Sequence, residues 1–131
     1  MMFLFDTNIV SEIFRDRPNA DVIDFTNQVK HIYISAITVE EISYGLSAKP
    51  APRLSTKFET LLGNESIVIP VDTEIAKIAG RLRGQLQIQG RIRSQADMLI
   101  AATAQHYRFT IVTRNVKDFE LCQIPILNPF E

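Results

Sequence analysis

An α/β fold built on a largely parallel sheet is what this sequence predicts, and three observations carry the prediction. Short apolar or β-branched runs alternate with helix-periodic stretches along the whole chain. Such alternation implies right-handed crossovers and a sheet covered on both faces. No repeat, low-complexity tract or linker-like segment interrupts it, so residues 1–131 read as one domain. With 46% hydrophobic and 22% charged residues, a chain of this length can bury a core without staples.

Five strands are expected. Phe3–Phe5 is a short apolar run that ends at Asp6, and an apolar-periodic stretch, Ile9–Phe14, follows it. Pro18 suits the first turn of a further helix over about Asn19–Gln28, with Val22, Ile23 and Phe25 inward. His31–Ser35 is β-branched and aromatic, hence a second strand. Thr38 is expected to open a helix that carries Ile42 and Leu46. After Pro50 and Pro52, Leu54, Phe58, Leu61 and Leu62 recur at helical spacing. Ser66–Val71 is the third strand, and Asp72 or Thr73 caps a long helix with Ile75, Ile78, Ala79, Leu82 and Leu86 inside and Gly90 as its stop. Ser94 starts a nearly all-apolar helix to about Tyr107, expected to be the most buried. Phe109–Thr113 and Ile124–Leu127 complete the sheet.

Bulk properties restrict function less than they restrict fold. Cys122 is the only cysteine, so no intrachain disulfide forms, which fits a reducing compartment. MMFLFD meets Asp6 too soon for a signal-peptide core, and MLIAATA is much shorter than a membrane span. A soluble, cytoplasmic protein with no membrane association is the expectation. The net charge of −1 gives no global signal for nucleic-acid binding, so any such activity must rest on local charge.

In an open parallel sheet, functional groups gather where strands end and helices begin. Asp6 closes the first strand, Glu41 is expected in the first turn after the second, Asp97 opens the buried helix, and Asn115 follows the fourth strand. Three convergent carboxylates repel one another unless protonated or neutralised by a cation. Oxygen ligands without histidine or cysteine suit Mg²⁺ or Mn²⁺ rather than Zn²⁺. His31, His106 and Cys122 are scattered and have no zinc-like spacing. Such a cluster can hold one or two ions, activate a water and stabilise charge on an attacked phosphodiester. Taken singly, each acid is more readily a helix cap: Asp6 before a helix, Glu41 within Thr38-Val-Glu-Glu41, Asp97 within Ser94-Gln-Ala-Asp97. Convergence on one rim is what capping does not require.

Four segments also carry a resemblance. MFLFDTNIVSE resembles the opening of PIN-domain proteins, SAITVEEISYGL their second segment, ADMLIAATAQ the third, and TIVTRNVKDFE the fourth. The similarity runs in order from Phe3 to the closing NPF. Length and wording look most like the VapC toxins, and within them the FitB branch. The resemblance implies a three-layer fold around a mainly parallel five-stranded sheet. It also implies the toxin of a type II toxin–antitoxin system, a metal-dependent endoribonuclease in which Asp6, Glu41 and Asp97 bind Mg²⁺ or Mn²⁺. By the same resemblance a homodimer is expected, with a cognate antitoxin that occludes the site and brings the pair to operator DNA. Hydrolysis leaving 5′-phosphate and 3′-hydroxyl ends is the expected chemistry.

Two departures stand out. Asn115 occupies a position where many relatives carry Asp, with Asp118 as a possible substitute that otherwise reads as a local cap; GRIRSQAD replaces a Gly/Pro-containing loop. Between Glu74 and Asp97 there is no acid, yet Lys77, Arg81, Arg83, Arg91 and Arg93 all fall there. Lys77 and Arg81 read as a solvated helix face, while Arg91, Arg93 and Arg114 are candidates for RNA-phosphate contact. Tyr33, Phe58 and Tyr107 read as core, and Tyr44 as facing either a subunit contact or the cleft.

A receiver domain would need paired acids after the first strand and a phosphoacceptor after the third, but Asp6 has no acidic neighbour and Asp72, after Pro70 and Val71, reads as a cap. A haloacid-dehalogenase-like phosphatase would need a second Asp in Asp6-Thr7-Asn8. A catalytically silent PIN-like binding or repressor subunit is the non-enzymatic alternative, against which the intact acid triad argues.

Overall fold

Five parallel strands form one sheet in the order β3-β2-β1-β4-β5 in a computed structural model that describes residues 1–131. The strands are β1 (Phe3–Phe5), β2 (Ile32–Ser35), β3 (Ser66–Ile69), β4 (Thr110–Val112) and β5 (Ile126–Leu127). Register pairs Phe3, Leu4 and Phe5 with Thr110, Ile111 and Val112, and Leu4 with Tyr33. The chain lays β1, β2 and β3 outward in one direction, then returns past β1 to place β4 on its other side. The strand order therefore reverses between β1 and β4, which is where an open α/β sheet leaves a crevice at its carboxyl edge.

Helices cover both faces. Helices α1 (Thr7–Ile13), α2 (Ala20–Gln28) and α4 (Pro52–Thr60) lie on one side, α5 (Thr73–Ile88) and α6 (Gln95–Tyr107) on the other. Helix α3 (Ala36–Ala48) touches both layers, Ile37 packing with the α5–α6 core and Val39, Ile42 and Leu46 with the opposite one. Strand alternation explains the two cores: Leu4 and Ile111 point into the first, Phe5, Ile34 and Val112 into the second. The central strands β1 and β4 are covered on both faces, hence their unbroken apolar runs.

The predicted elements correspond closely to those observed. Helix α5 is capped by Asp72, whose Oδ1 accepts the Ile75 amide at 2.9 Å. It ends in a Schellman arrangement, with Gly90 at φ 78° donating to the Gln87 carbonyl and Arg91 to Leu86. Helix α6 is almost wholly buried from Met98 to Ala104, and its alanines permit close approach to the sheet. Strand β3 stops at Ile69 rather than Val71 because Pro70 offers no amide; it is an edge strand, with Ile67 and Val68 partly exposed.

Other details differ. Helix α3 begins at Ala36, not Thr38, because Ser35, the last strand residue, caps it by accepting the Ile37 amide at 3.0 Å. Thr38 is free to turn inward and is fully buried. A π turn, Leu61–Glu65, follows α4 and brings the Leu61 carbonyl to the Ser66 hydroxyl. Tyr107 is 39% exposed, held against His106 and Phe109, rather than in the core.

Candidate active site

Asp6 follows β1 directly and lies at the crevice between β1 and β4. Its amide donates to the Val112 carbonyl at 2.9 Å, so the ladder itself fixes its backbone. As the α1 cap it accepts the Thr7 amide on Oδ1 at 2.8 Å. Its Oδ2 accepts from the Thr113 hydroxyl at 2.8 Å and from Asn8 Nδ2 at 3.1 Å. The capping expectation for Asp6 thus holds, but capping uses only one of the two oxygens. Burial pushes the Asp6 carboxyl up to about 6 against the bonds from Thr113 and Thr7, with the charges of Asp97 and Glu41 adding to the rise.

Glu41 sits in the second turn of α3, not the first, since the helix starts early. Its Oε1 accepts the Thr7 hydroxyl at 2.7 Å, and Thr7 Oγ1 lies 3.0 Å from Thr38 Oγ1. The capping box expected over Thr38–Glu41 is therefore absent, and Glu41 is turned toward Asp6 through Thr7. Tyr44, one turn on, is 70% exposed and takes no part. Asp97 lies in the first turn of α6, its amide donating to Ser94 Oγ at 3.0 Å. Burial raises the Asp97 carboxyl, the Ser94 hydroxyl opposes this, and the charges of Asp118 and Glu41 add to it while Arg93 subtracts.

Asp6, Glu41 and Asp97 thus act on one another electrostatically although they come from three elements spread over ninety residues of sequence. Asp118 closes the turn after Asn115 without a capping bond, and its charge adds to the rise at Asp97. Asn115 begins the 3-10 turn Val116–Asp118 and is exposed, and its amide donates to Thr113 Oγ1 at 3.0 Å. No three of the His, Cys, Asp and Glu side chains stand close enough to enclose one ion in this conformation. The donor set is nevertheless all oxygen. Mg²⁺ retains several waters and is commonly held through one or two carboxylates directly, so the residues fit a hydrated hard cation rather than a closed cage.

Of the candidate cations, Arg93 reaches the cluster. Its guanidinium bonds the Ile92 and Lys117 carbonyls, and its Nε is buried without a partner. Arg114 stacks over Phe130 at 4.5 Å, with its amide on Asn8 Oδ1. Arg91 is exposed beyond α5 and makes no side-chain bond. Lys77 pairs with Glu74 at 3.9 Å on a solvated face, as expected. Thr7, Asn8 and Thr113, which orient the acids, were not singled out from sequence, and Thr38 was read only as a helix start. Their signal lay in the polar residues that follow Asp6 and precede Arg114.

The sequence model for the PIN domain matches residues 3–122. The chain belongs to the PIN-domain family. This PIN domain is 33% identical to the VapC ribonuclease Y4jK of Sinorhizobium fredii, over 99% of each chain. It is 31% identical to Toxin FitB of Neisseria gonorrhoeae, over 98% of this chain and 99% of that one, which is the branch that the motifs resemble. The crystal structure of DNA-bound VapBC from Salmonella typhimurium superposes with a TM-score of 0.87 at 27% identity, covering 98% of both chains. No helix is long and apolar enough to cross a membrane.

Proposed function

We propose that this PIN domain, residues 1–131 acting as one unit, is the toxin of a type II toxin–antitoxin pair. In this reading it is an endoribonuclease dependent on Mg²⁺ or Mn²⁺, working as a homodimer in the cytoplasm until a cognate antitoxin occludes it and carries the pair to operator DNA. The observation that carries the reading is the raised Asp6 carboxyl, lifted in part by Asp97 and Glu41. A carboxyl raised first by burial, and further by two acidic neighbours, is one whose charge a bound cation would stabilise. Family membership and the relatives named above as ribonuclease and toxin support the same conclusion.

Asp6, Glu41 and Asp97 would hold the ion. When bound, it supplies Lewis-acid chemistry for phosphodiester hydrolysis. Thr113, Asn8 and the Thr7 amide hold the Asp6 carboxylate in one rotamer, and Thr7 does the same for Glu41. Asp118 rather than Asn115 is the fourth acid, because its charge reaches Asp97. Arg93 and Arg114, with Arg91 exposed just before them in sequence, would contact phosphate at the margin of the acids. Mapping RNA ends after cleavage tests the reading: 5′-phosphate and 3′-hydroxyl ends are expected. Cyclic phosphate ends would contradict it, since they require attack by the RNA 2′-hydroxyl. Mn²⁺ binding without turnover would favour the silent binding subunit.

A further inference from the structure

A chain of net charge −1 places five of its fourteen Lys and Arg residues along one trough. The trough starts at Thr7 and Glu41 as a groove of about 450 Å³ between α1, α3 and the start of α4, with Lys49 on its rim. It passes Phe14, Arg15 and Leu54 and opens into a second depression lined by Arg17, Arg53 and Lys57, where Asp16 is the only acid. Only Arg15 of the five cations is in an ion pair, with Glu12 at 3.2 Å.

The trough is also held in shape. Glu12, 6% exposed, accepts the Asn19 amide at 2.8 Å, which together with its Arg15 pair fixes the loop between α1 and α2. Lys57 Nζ reaches the Phe14 carbonyl at 3.4 Å and ties α4 to that loop. Arg17 and Arg53 make no side-chain bond, so their charges are available to a ligand.

We propose that this trough is a substrate-binding bank that holds the RNA backbone on the far side of Glu41 from Arg93 and Arg114; the proposal rests on the nuclease reading. Asp6, Glu41, Asp97 and Asp118 repel a polyanion, so the strand must be held by cations on both sides of them. Arg114 and Lys117, on the rim of a depression shared with Asn115 and Asp118, supply one side. The trough supplies the other, leading from the acids outward. Its outer depression is lined chiefly by charged side chains, which suits phosphates read for position rather than bases read for sequence.

The test measures anisotropy of labelled single-stranded RNA, long enough to cross both banks, on Asp97→Asn protein with and without Arg17→Glu/Arg53→Glu. Lys77→Glu/Arg81→Glu, on the solvated face of α5, carries the same change of net charge as a control. Losing two phosphate contacts is expected to weaken binding about tenfold and to reduce the slope of log K against log salt by about 1.4. The α5 control is expected to bind like its parent, and matching unfolding midpoints show that all three proteins fold. Equal affinity and slope in the trough variant overturn the proposal, as does an equal loss in the α5 control. Unchanged RNA binding with loss of polyglutamate binding also overturns it and assigns the trough to an acidic polypeptide. Failure of wild-type protein to cleave RNA would count against the nuclease reading, whereas the binding comparison decides the trough by itself.

Discussion

Asp6→Asn is expected to make the metal-free protein more stable at pH 8 and less stable at pH 4. The Asp6 carboxyl is raised from 3.8 to about 6 by burial first and by its acidic neighbours second. A raised carboxyl means that the folded protein binds the proton more tightly than the unfolded chain does. Stability is therefore greatest below pH 4 and falls as pH rises through about 6. At ~1.4 kcal/mol per pH unit of displacement, the penalty is about 3 kcal/mol by pH 8. Asparagine removes the charge but turns an NH₂ toward Asn8 and Thr113, and that mismatch costs about 1–2 kcal/mol. The net gain at pH 8 is thus about 1–2 kcal/mol, or roughly 3–6 °C in Tm. At pH 4 the penalty has almost gone in the wild type and only the mismatch remains, so the order reverses. Thermal unfolding followed by circular dichroism in EDTA at the two pH values measures both signs. An asparagine variant that is less stable at both would refute the claim that the buried carboxylate is strained without a cation.

Other outcomes follow from the same geometry. Thr113→Val removes the leading bond that holds the Asp6 carboxyl down, so the acidic limb of a pH–rate profile should move to higher pH; an unmoved limb would detach Thr113 from Asp6. Asp118→Asn should lower cleavage by tenfold or more and Asn115→Ala by much less, about the difference between a charge at a metal site and a neighbour outside it; the reverse order in kcat would return the fourth position to Asn115. Ile111→Ala, at a fully buried site in the central sheet, should lower stability by about 2–5 kcal/mol in urea unfolding. Gly90→Ala puts a Cβ at φ 78° and should cost about 1 kcal/mol with no effect on cleavage.

Local signals made much of the fold legible. Helix α6 could be bounded from Ser94 onward because its cap and its apolar run are contiguous in sequence, and the Gly90 stop of α5 is likewise local. The start of α3 was misread because Thr38 through Glu41 mimics a capping box. Which hydroxyl caps depends on where the strand ends, and pairing with β3 takes β2 to Ser35. The acids could be named because strand ends are recognisable. The network that orients them could not, since Thr7, Glu41, Asp6 and Thr113 are joined by bonds spanning 34 and 107 residues. Sequence left Asp118 open between a substitute for Asn115 and a local cap, because where its charge acts depends on how the turn after β4 folds back. The basic trough was equally hidden, being assembled from the α1–α2 loop and α4, which are adjacent only in space.

Cleavage of mixed cellular RNA by the purified protein tests the central claim most directly, with Mg²⁺ or Mn²⁺ present and with EDTA and Asp97→Asn as controls. Discrete fragments that both controls abolish are predicted. Intact RNA with either ion, from protein shown to be folded, or cleavage that survives Asp97→Asn, would contradict the account.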